Sequence, residues 1–390
     1  MRTVSVIIPL WNGEKWIRPC LAALAGQATG APFALEVVVV DNGSQDASPV
    51  IVENEFPAAR LIRNGRNLGF AGGCNVGLAA ATGDALVLLN QDTIVQPGWL
   101  AGLVTALDAP SVGIAGSLAL LAEGKRVQHA GGVVDWPLGV ARHWGHGEAL
   151  DARWRQAGDA QFVTGASLAL RREVLEKIGP LDEAFWPGYY EDVDFCWRAR
   201  EAGYSIRYAP ASTLIHAESG SFTDPVYTGW ARLCGRLRFC LKHLPAQRFV
   251  DEFLLAEAAY QPTVLAGDRY GQIARAYLEA IPMAFALWQE RGTSNDLIAL
   301  ASAGLARLCP PLQAMESARA DIPAPSQPLL VPSALDRLPL WRRLRRSLHQ
   351  LAIFYSERRQ RELLSLIQKD REYIQRLEAE IALLQRKLSA

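Results

Sequence analysis

Short runs of apolar residues in the N-terminal half of the chain each end at a polar or glycine-containing turn. The first three lie at residues 4–10, 35–40 and 60–63, and helical patterns begin between them near Trp16 and at Ser48–Pro49. Short, β-branched apolar runs are typical of strands that are buried on both faces of a parallel sheet. Their alternation with helices predicts a doubly wound α/β domain, a Rossmann-like fold with a mostly parallel sheet flanked by helices.

A fourth apolar run, at residues 85–89, stops abruptly at Asn90–Gln91–Asp92. In open α/β sheets, ligands bind beyond the carboxyl ends of the strands, and an Asp there can hold a hard divalent cation against a diphosphate. The same polar residues could instead only begin a turn before Pro97–Gly98. The run itself does not decide between these interpretations.

Residues 64–77 form a glycine-rich loop that runs into a predicted helix, and its glycines include those at positions 69, 72, 73 and 77. Such a loop lets the backbone approach a nucleotide diphosphate. It lacks the G-x-G-x-x-G spacing of the dinucleotide-binding motif. Glycines that only permit close helix packing are the alternative interpretation.

Three carboxylates, Glu191, Asp192 and Asp194, begin another predicted helix and follow an aromatic loop at residues 185–190. Acidic residues in a first helical turn are favoured by the helix dipole, so capping alone is one explanation. The aromatic loop favours a second one, a pocket whose floor carries a catalytic base. A strand predicted at residues 205–209 leads to His216, which alone would more often be a buried hydrogen-bonding group than a ligand.

Residues 128–150 contain His129, His143 and His146 among glycines and tryptophans. The spacing of these histidines is loose for a structural zinc site, and no cysteine accompanies them. We therefore expect a hairpin on the acceptor side of the site.

Composition narrows the class of protein. The chain has 390 residues, 50% of them hydrophobic, and 40 basic residues balance 40 acidic ones. Zero formal net charge argues against a nucleic-acid-binding protein driven by bulk charge. The six cysteines form no C-x-x-C pair, which indicates reduced thiols in a cytosol. No apolar stretch reaches the roughly 18–20 residues of a spanning helix, so we expect a cytoplasmic chain, soluble or peripheral at the inner face of the membrane.

The pattern changes past Pro225, where helices are predicted at residues 227–244, 249–260, 270–291 and 296–308. A linker with five prolines follows at residues 323–339. The last residues repeat apolar positions at heptad spacing, at Ile367, Ile374, Leu377, Ile381, Leu384 and Leu388.

That heptad repeat predicts a coiled coil and therefore a homo-oligomer. The basic stretch that begins at Trp341 could contact an anionic membrane, with a solvated connector as the alternative. The expected domains are a catalytic domain at 1–224, a helical region with the linker at 225–340, and a basic helix with the coiled coil at 341–390.

Residues 3–220 resemble a family 2 glycosyltransferase of the GT-A fold, in the rhamnosyltransferase-like branch that builds bacterial surface polysaccharides. The resemblance is carried by Val6–Ile7–Ile8–Pro9, Val40–Asp41–Asn42–Gly43–Ser44, Asn67–Leu68–Gly69–Phe70–Ala71–Gly72–Gly73, Asn90–Gln91–Asp92, Thr164–Gly165–Ala166 and Glu191–Asp192–Val193–Asp194–Phe195. It implies an inverting transfer of a sugar, L-rhamnose from dTDP-rhamnose in particular, from a nucleotide-diphosphate donor. The acceptor would be a hydroxyl of a glycan or a lipid-linked sugar in O-antigen, lipopolysaccharide or capsule synthesis.

The resemblance also implies roles for single residues. The general base would be Asp192, beside Glu191, and the metal ligands for Mg²⁺ or Mn²⁺ would be Asp92 and His216. Asn90 stands where the family usually has the first Asp of Asp-x-Asp, which leaves its role open. The nucleotide-sugar site would comprise Pro9, Asn12, Asp41, Asn67, Gly72, Gly73, Asn90, Gln91 and Asp92. The acceptor side would comprise Thr164, Gly165, Ala166, Trp186 and Asp194.

Two other classes of function stay open. A sugar nucleotidyltransferase usually has a glycine-rich loop with Lys or Arg directly after the first strand, whereas residues 11–14 here read Trp-Asn-Gly-Glu. A non-catalytic assembly subunit would act through its coiled coil and need no catalytic residues. The joint presence of Asp92, Asp192 and His216 argues against that second alternative.

Overall fold

The computed structural model describes residues 2–27, 29, 31–217, 225–264 and 270–308. The chain divides into two compact units, one ending at Phe239 and the other beginning at Cys240. The expected boundary was residue 224. The difference arises because Phe239 stacks on Trp136, with 5.4 Å between ring centroids, and so belongs to the core of the first unit.

The first unit alternates strands and helices as the sequence pattern predicts. Its strands are β1 (Arg2–Leu10), β2 (Phe33–Asp41), β3 (Arg60–Arg63), β4 (Ala85–Leu89), β5 (Thr93–Val95), β6 (Val112–Leu120), β7 (Val127–His129), β8 (Gly132–Asp135), β9 (Val140–His143), β10 (Gly158–Ala160), β11 (Ser167–Arg171) and β12 (Ser205–His216). Its helices are α1 (Glu14–Ala25), α2 (Ser48–Glu55), α3 (Gly69–Ala80), α4 (Trp99–Ala106), α5 (Arg172–Ile178) and α6 (Glu191–Glu201), and α7 (Pro225–His243) begins in this unit.

Ten of these strands form one sheet, whose main order is β10-β12-β6-β11-β4-β1-β2-β3. The strands β3, β2, β1 and β4 are parallel, as expected. The rest of the sheet is mixed, because β11 runs antiparallel to both of its neighbours, β4 and β6. The expectation of a mostly parallel sheet therefore holds only for the half formed by β3, β2, β1 and β4.

The parallel half sets the position of the functional residues. In the register of β1 and β2, Leu10 lies opposite Asp41, so both strands end at the same edge. The adjacent strand β4, all of whose residues are buried, ends at that edge with Leu89. The loops that begin at Trp11, Asn42 and Asn90 therefore meet beyond the carboxyl ends of the strands.

Helices cover both faces of the sheet, and a separate apolar cluster fills each face. On one face, α1, α2 and α4 contribute buried residues such as Leu21, Val52 and Trp99. On the other, α3, α5 and α6 contribute residues such as Leu78 and Phe195. Two apolar layers around one sheet make the strands rigid supports for their polar ends.

Strand β12 continues well past residue 209, where the sequence predicted its end. A shift of register in its pairing with β6, between Ala209 and Thr213, accommodates Pro210. Because proline lacks a backbone N–H, it is tolerated in a strand at such an irregularity. The extension carries β12 on to His216, which pairs with Thr93 of β5.

The second unit is helical, as expected, with a π-helical turn at Phe249–Phe253 between α8 (Ala246–Arg248) and α9 (Leu254–Val264), then α10 (Tyr270–Glu290) and α11 (Asn295–Leu308). Its core includes Glu257, whose buried carboxylate accepts a hydrogen bond from the hydroxyl of Tyr277. Among the described helices, none is long and apolar enough to cross a bilayer. The proline-rich linker, the basic stretch and the heptad repeat lie outside the described residues.

Candidate active site

The polar segment after β4 meets the end of β12. The antiparallel pairing of β5 with β12 brings the Oδ1 atom of Asp92 to 3.2 Å from Nε2 of His216. Only 6% of Asp92 and 9% of His216 are exposed. The structure therefore brings together the two residues that were predicted as metal ligands, although they are far apart in the sequence.

Asn90 completes this cluster. Its Nδ2 atom lies 3.3 Å from Nε2 of His216, and its buried Oδ1 atom has no hydrogen-bond partner in the part of the chain that the structure describes. A buried, unpaired carbonyl oxygen is costly unless a ligand satisfies it. The pattern in the sequence left the role of Asn90 open, and its orphaned oxygen indicates that the side chain faces a ligand.

The donor set of this cluster fits a divalent cation. Mg²⁺ and Mn²⁺ favour oxygen ligands, and Mn²⁺ also accepts imidazole. Two atoms bound side by side in an octahedral shell with bonds of about 2.1 Å are about 3.0 Å apart, close to the 3.2 Å between Asp92 and His216. Within the described ranges no three His, Cys, Asp or Glu side chains converge as a metal site, so the third ligand here would be the amide oxygen of Asn90.

Asp192 lies in the first turn of α6, and two backbone amides hold its partly exposed carboxylate. Gly165 N–H donates to Oδ2 and Val193 N–H donates to Oδ1, both at 2.8 Å. Burial raises the pKa of Asp192 above the usual value for an aspartate, and these hydrogen bonds oppose the rise. A carboxylate with fixed geometry and a raised pKa is suited to accept a proton.

The segment Thr164–Ala166 connects this carboxylate to the metal-ligand cluster. While Gly165 N–H binds Asp192, the carbonyl oxygen of Ala166 accepts a hydrogen bond from Asn90 N–H at 3.1 Å. The backbone N–H of Thr164 donates to Nε2 of His129 at 3.3 Å. One short loop therefore fixes the position of Asp192 relative to Asn90.

The two other carboxylates in the first turn of α6 are buried. Glu191 is 5% exposed, and burial followed by the charge of Asp192 raises its pKa well above the usual range. Asp194 is fully buried and pairs with Arg198 at 2.9 Å. Residues 191 and 194 share a face of the helix that Asp192 does not, as helical geometry predicts. The ion pair with Arg198 gives Asp194 a structural role, and its place on the acceptor side stays a prediction.

The aromatic loop before α6 is held in an unusual conformation. Tyr189 and Tyr190 both have positive φ angles, of 76° and 72°, which are uncommon for bulky residues and concentrate at functional sites. The hydroxyl of Tyr190 donates to the carbonyl of Gly139 at 3.0 Å, which ties the loop to the β8–β9 hairpin. These contacts orient the start of α6 and hence Asp192.

Trp186, predicted on the acceptor side, packs against the start of α3. A Cβ atom on Gly69 would lie only 2.7 Å from the Trp186 ring, and Gly69 has a φ angle of 76°. Both constraints require glycine at position 69. The indole Nε1 of Trp186 is buried and has no hydrogen-bond partner among the described residues, and the place of Trp186 on the acceptor side stays a prediction.

The predicted nucleotide side comprises the loops after β1 and β2. The carboxylate of Asp41 accepts a hydrogen bond from Ser44 N–H at 2.9 Å. Asn12, with a φ angle of 48°, accepts a hydrogen bond from Gln45 N–H at 2.8 Å. Pro9 lies within β1 opposite Val40, so it supports this edge from inside the sheet.

Other predicted donor-site residues have structural contacts that account for them. The side-chain amide of Gln91 accepts a hydrogen bond from Trp11 N–H at 2.9 Å and donates one to the Trp11 carbonyl at 3.1 Å. Both polar atoms of this amide therefore bind the loop after β1. A Cβ atom on Gly73 would meet the amide of Asn42 at 2.6 Å, and one on Gly72 would meet Leu68 at 2.7 Å. Close packing therefore explains both glycines, and their contact with a donor stays a prediction.

Asn67 likewise makes a local contact, because its Oδ1 atom accepts from Gly69 N–H at 2.8 Å and turns the chain into α3.

Two neighbours of the predicted site residues were not predicted. Asn42 donates to the carbonyl of Gly69 at 2.9 Å and joins two loops, and its place in the Asp-Asn-Gly-Ser motif was an available signal. The Oε1 atom of Gln128 accepts a hydrogen bond from Nδ1 of His216 at 2.8 Å, and no pattern in the sequence marked Gln128.

A sheet with helices on both faces, polar loops at its carboxyl edge and an antiparallel strand inserted beside the parallel half is the GT-A type of glycosyltransferase fold. A crystal structure of GalNAc-T7 with UDP, GalNAc and Mn²⁺ shares this fold, with a TM-score of 0.50 and 16% identity over 68% of this chain and 52% of that one. The predicted α/β class of the first unit, a sheet flanked by helices, is thereby confirmed, with a mixed sheet in place of the mostly parallel one.

Residues 5–179 match the family model described as Glycosyl transferase family 2. The pre-mycofactocin glycosyltransferase of Mycobacterium tuberculosis is 31% identical over 57% of this chain and 44% of its own length. The N-acetylglucosaminyl-diphospho-decaprenol L-rhamnosyltransferase of the same species is 27% identical over 51% of this chain and 71% of its own length. The chain thus spans less than half of the first of these relatives.

Proposed function

We propose that this protein is an inverting glycosyltransferase that transfers a sugar from a nucleotide-diphosphate donor to the hydroxyl of a glycan or a lipid-linked acceptor. The observation that carries the proposal is the double attachment of the Thr164–Ala166 loop. It binds Asp192 through Gly165 N–H and Asn90 through the carbonyl of Ala166. A base for the acceptor and a site for the donor diphosphate are thus held on two sides of one short segment.

The reaction needs a proton acceptor on the acceptor side. A sugar hydroxyl is far less acidic than an aspartic acid, so Asp192 takes up the proton only as the oxygen attacks the anomeric carbon. Attack from the face opposite the diphosphate inverts the anomeric configuration. The hydrogen bonds from Gly165 and Val193 keep the carboxylate aimed, and its raised pKa makes it a stronger base than an exposed aspartate.

The departing diphosphate carries negative charge that must be balanced. A divalent cation held by Asp92, His216 and the amide oxygen of Asn90 would supply Lewis-acid stabilisation of this charge when bound. Asp41 would contact the nucleoside from the loop after β2. The glycine-containing start of α3 would approach the donor through its backbone.

L-Rhamnose from dTDP-rhamnose is the donor that we favour, for O-antigen, lipopolysaccharide or capsule synthesis. The support is the resemblance of the motifs to the rhamnosyltransferase-like branch and the likeness to the mycobacterial rhamnosyltransferase. We further propose a homo-oligomer through the C-terminal heptads and a peripheral contact at the inner face of the cytoplasmic membrane.

The test is a donor screen with purified full-length protein and Mn²⁺ or Mg²⁺. Slow hydrolysis of dTDP-rhamnose, UDP-sugars and GDP-sugars is measured first, and transfer to lipid-diphosphate-linked sugars is measured next. The product linkage is determined by NMR. We expect turnover of one nucleotide class, dependence on a divalent cation and an inverted linkage. Absence of turnover with all three donor classes, or a retained configuration, would contradict the proposal.

A further inference from the structure

We infer that Gln128 is a positioning residue that fixes the tautomer of His216 and thereby makes it a metal ligand. The inference rests on the proposed metal site but concerns a residue that the family motifs do not include. Gln128 lies on β7 and is 6% exposed, and its Oε1 atom lies 2.8 Å from Nδ1 of His216.

The backbone conformation at Gln128 orients this side chain. Adjacent residues of β6 pair with alternate residues of β7, because Leu120 lies opposite Val127 while Ala119 lies opposite His129. Gln128 is therefore the extra residue of a β-bulge. Such bulges redirect a side chain and are frequent next to active sites.

Two contacts assign the proton on His216. Nε2 of the ring lies 3.3 Å from the Nδ2 atom of Asn90, which can only donate, so Nε2 accepts. In a neutral imidazole the other nitrogen then carries the proton, and Nδ1–H donates to the Oε1 atom of Gln128. The two amides thus select the same tautomer from opposite sides of the ring.

In this tautomer Nε2 carries no proton and lies 3.2 Å from the Oδ1 atom of Asp92, and a bound cation would take its lone pair in place of the N–H of Asn90. Two acceptor atoms at this distance repel each other unless a cation binds between them. With the proton on Nε2, the ring would instead donate to Asp92 and occupy the lone pair that a metal needs. A partner on the second nitrogen is the usual means by which proteins orient a ligating histidine, and its loss typically costs about 10- to 100-fold in metal affinity.

Three variants and a control test the inference on metal-free, full-length protein. Gln128→Leu removes the acceptor at nearly constant size, Gln128→Glu keeps an acceptor oxygen, and His216→Ala removes the ligand. Gln161→Leu is the matched control, since the Oε1 atom of Gln161 accepts from Val134 N–H at 2.9 Å in the same region of the fold. Free Mn²⁺ is counted by electron paramagnetic resonance during titrations with saturating dTDP.

We expect Gln128→Leu to weaken Mn²⁺ binding about 10- to 100-fold, Gln128→Glu to restore most of it, and Gln161→Leu to leave it unchanged. Wild-type affinity in Gln128→Leu, with strong loss in His216→Ala, would overturn this inference and leave the proposed function standing. Failure of the wild-type protein to bind Mn²⁺ would overturn the metal site itself.

A measurement on the wild-type protein keeps the inference testable even if Gln128→Leu fails to fold. The chain has six histidines, and ¹⁵N-histidine labelling with His216→Ala as the assignment reference identifies the resonances of His216. The ring-nitrogen shifts of the metal-free protein should report the proton on Nδ1. A proton on Nε2 would overturn the assignment of Gln128.

Discussion

Replacing Asp192 by asparagine tests the proposed base with little change in shape. In the wild-type protein the two carboxylate oxygens accept hydrogen bonds from Gly165 N–H and Val193 N–H at 2.8 Å. Asparagine keeps one acceptor oxygen, so one of these bonds is lost, at a cost of about 1 kcal/mol. Because burial penalises the charged carboxylate, its removal offsets part of that loss. The free energy of unfolding should therefore change by no more than about 1 kcal/mol.

The effect on chemistry should be much larger. A positioned general base contributes about 10²- to 10⁴-fold to the rate, which corresponds to roughly 3–5 kcal/mol of transition-state stabilisation. The assay is single-turnover transfer to the acceptor, and donor binding is measured separately by calorimetry. We expect the rate of transfer to fall by that factor while donor affinity stays unchanged, because the predicted donor contacts do not include Asp192.

Glu201→Gln at the other end of α6 is the control. Its carboxylate accepts a hydrogen bond from the indole of Trp197 at 3.0 Å, one helical turn away on the same helix. Near wild-type transfer by Asp192→Asn, together with an inactive but folded Glu191→Gln, would refute the assignment of the base. It would also refute the argument that the face of α6 that carries Asp192 is the catalytic one.

The remaining predictions concern the metal site, the loop glycines and the oligomer. Asn90→Asp restores a second carboxylate and should bind Mn²⁺ more tightly than the wild type, whereas Asn90→Leu should bind it more weakly; equal affinities in a Mn²⁺ titration would contradict the assignment of Asn90. Gly69→Ala should cost about 1–3 kcal/mol in thermal unfolding, more than Gly65→Ala, since Gly65 also has a positive φ angle but an added Cβ there meets nothing within 4 Å. Burial raises the pKa of Asp192, so the acidic limb of the pH profile of kcat/KM should lie above the usual pKa of aspartate. Between that usual pKa and the raised pKa of the folded state, the wild type loses stability as pH rises, and Asp192→Asn should therefore gain stability relative to the wild type. Removal of residues 360–390 should give a smaller species in light scattering with donor hydrolysis preserved, and an unchanged mass would contradict the coiled-coil prediction.

The parallel half of the sheet was predictable because its signals are local. Strands such as β3 at Arg60–Arg63 and β4 at Ala85–Leu89 are bounded by turn residues, and the structure reproduces them. The position of Asp41 at the end of β2 follows from the same pattern. Asp41 reaches the site because β1 and β2 are parallel and paired along their whole length, so both strands end at the same edge of the sheet.

The other half of the site depends on strand pairing, which has no local signal. The antiparallel insertion of β11 between β4 and β6 is fixed by contacts between distant segments. Strand β12 continues past Pro210 because its pairing with β6 shifts in register between Ala209 and Thr213. Family resemblance therefore identified His216 as a candidate ligand, whereas its contact with Gln128 could not be predicted from the sequence.

The motifs at residues 90–92 and 191–194 carry the carboxylates, yet neither motif determines the distance between them. That distance follows from the backbone of the Thr164–Ala166 loop, whose N–H binds Asp192 and whose carbonyl binds Asn90. Since both contacts use backbone atoms, they constrain the path of the loop and not its side chains, except at Gly165. A Cβ atom there would lie 3.0 Å from the ring of Phe70 and 3.6 Å from Cβ of Asp192. A larger residue would have to displace that ring or the loop, and displacement of the loop would move Asp192 and the Asn90–Asp92 segment relative to each other.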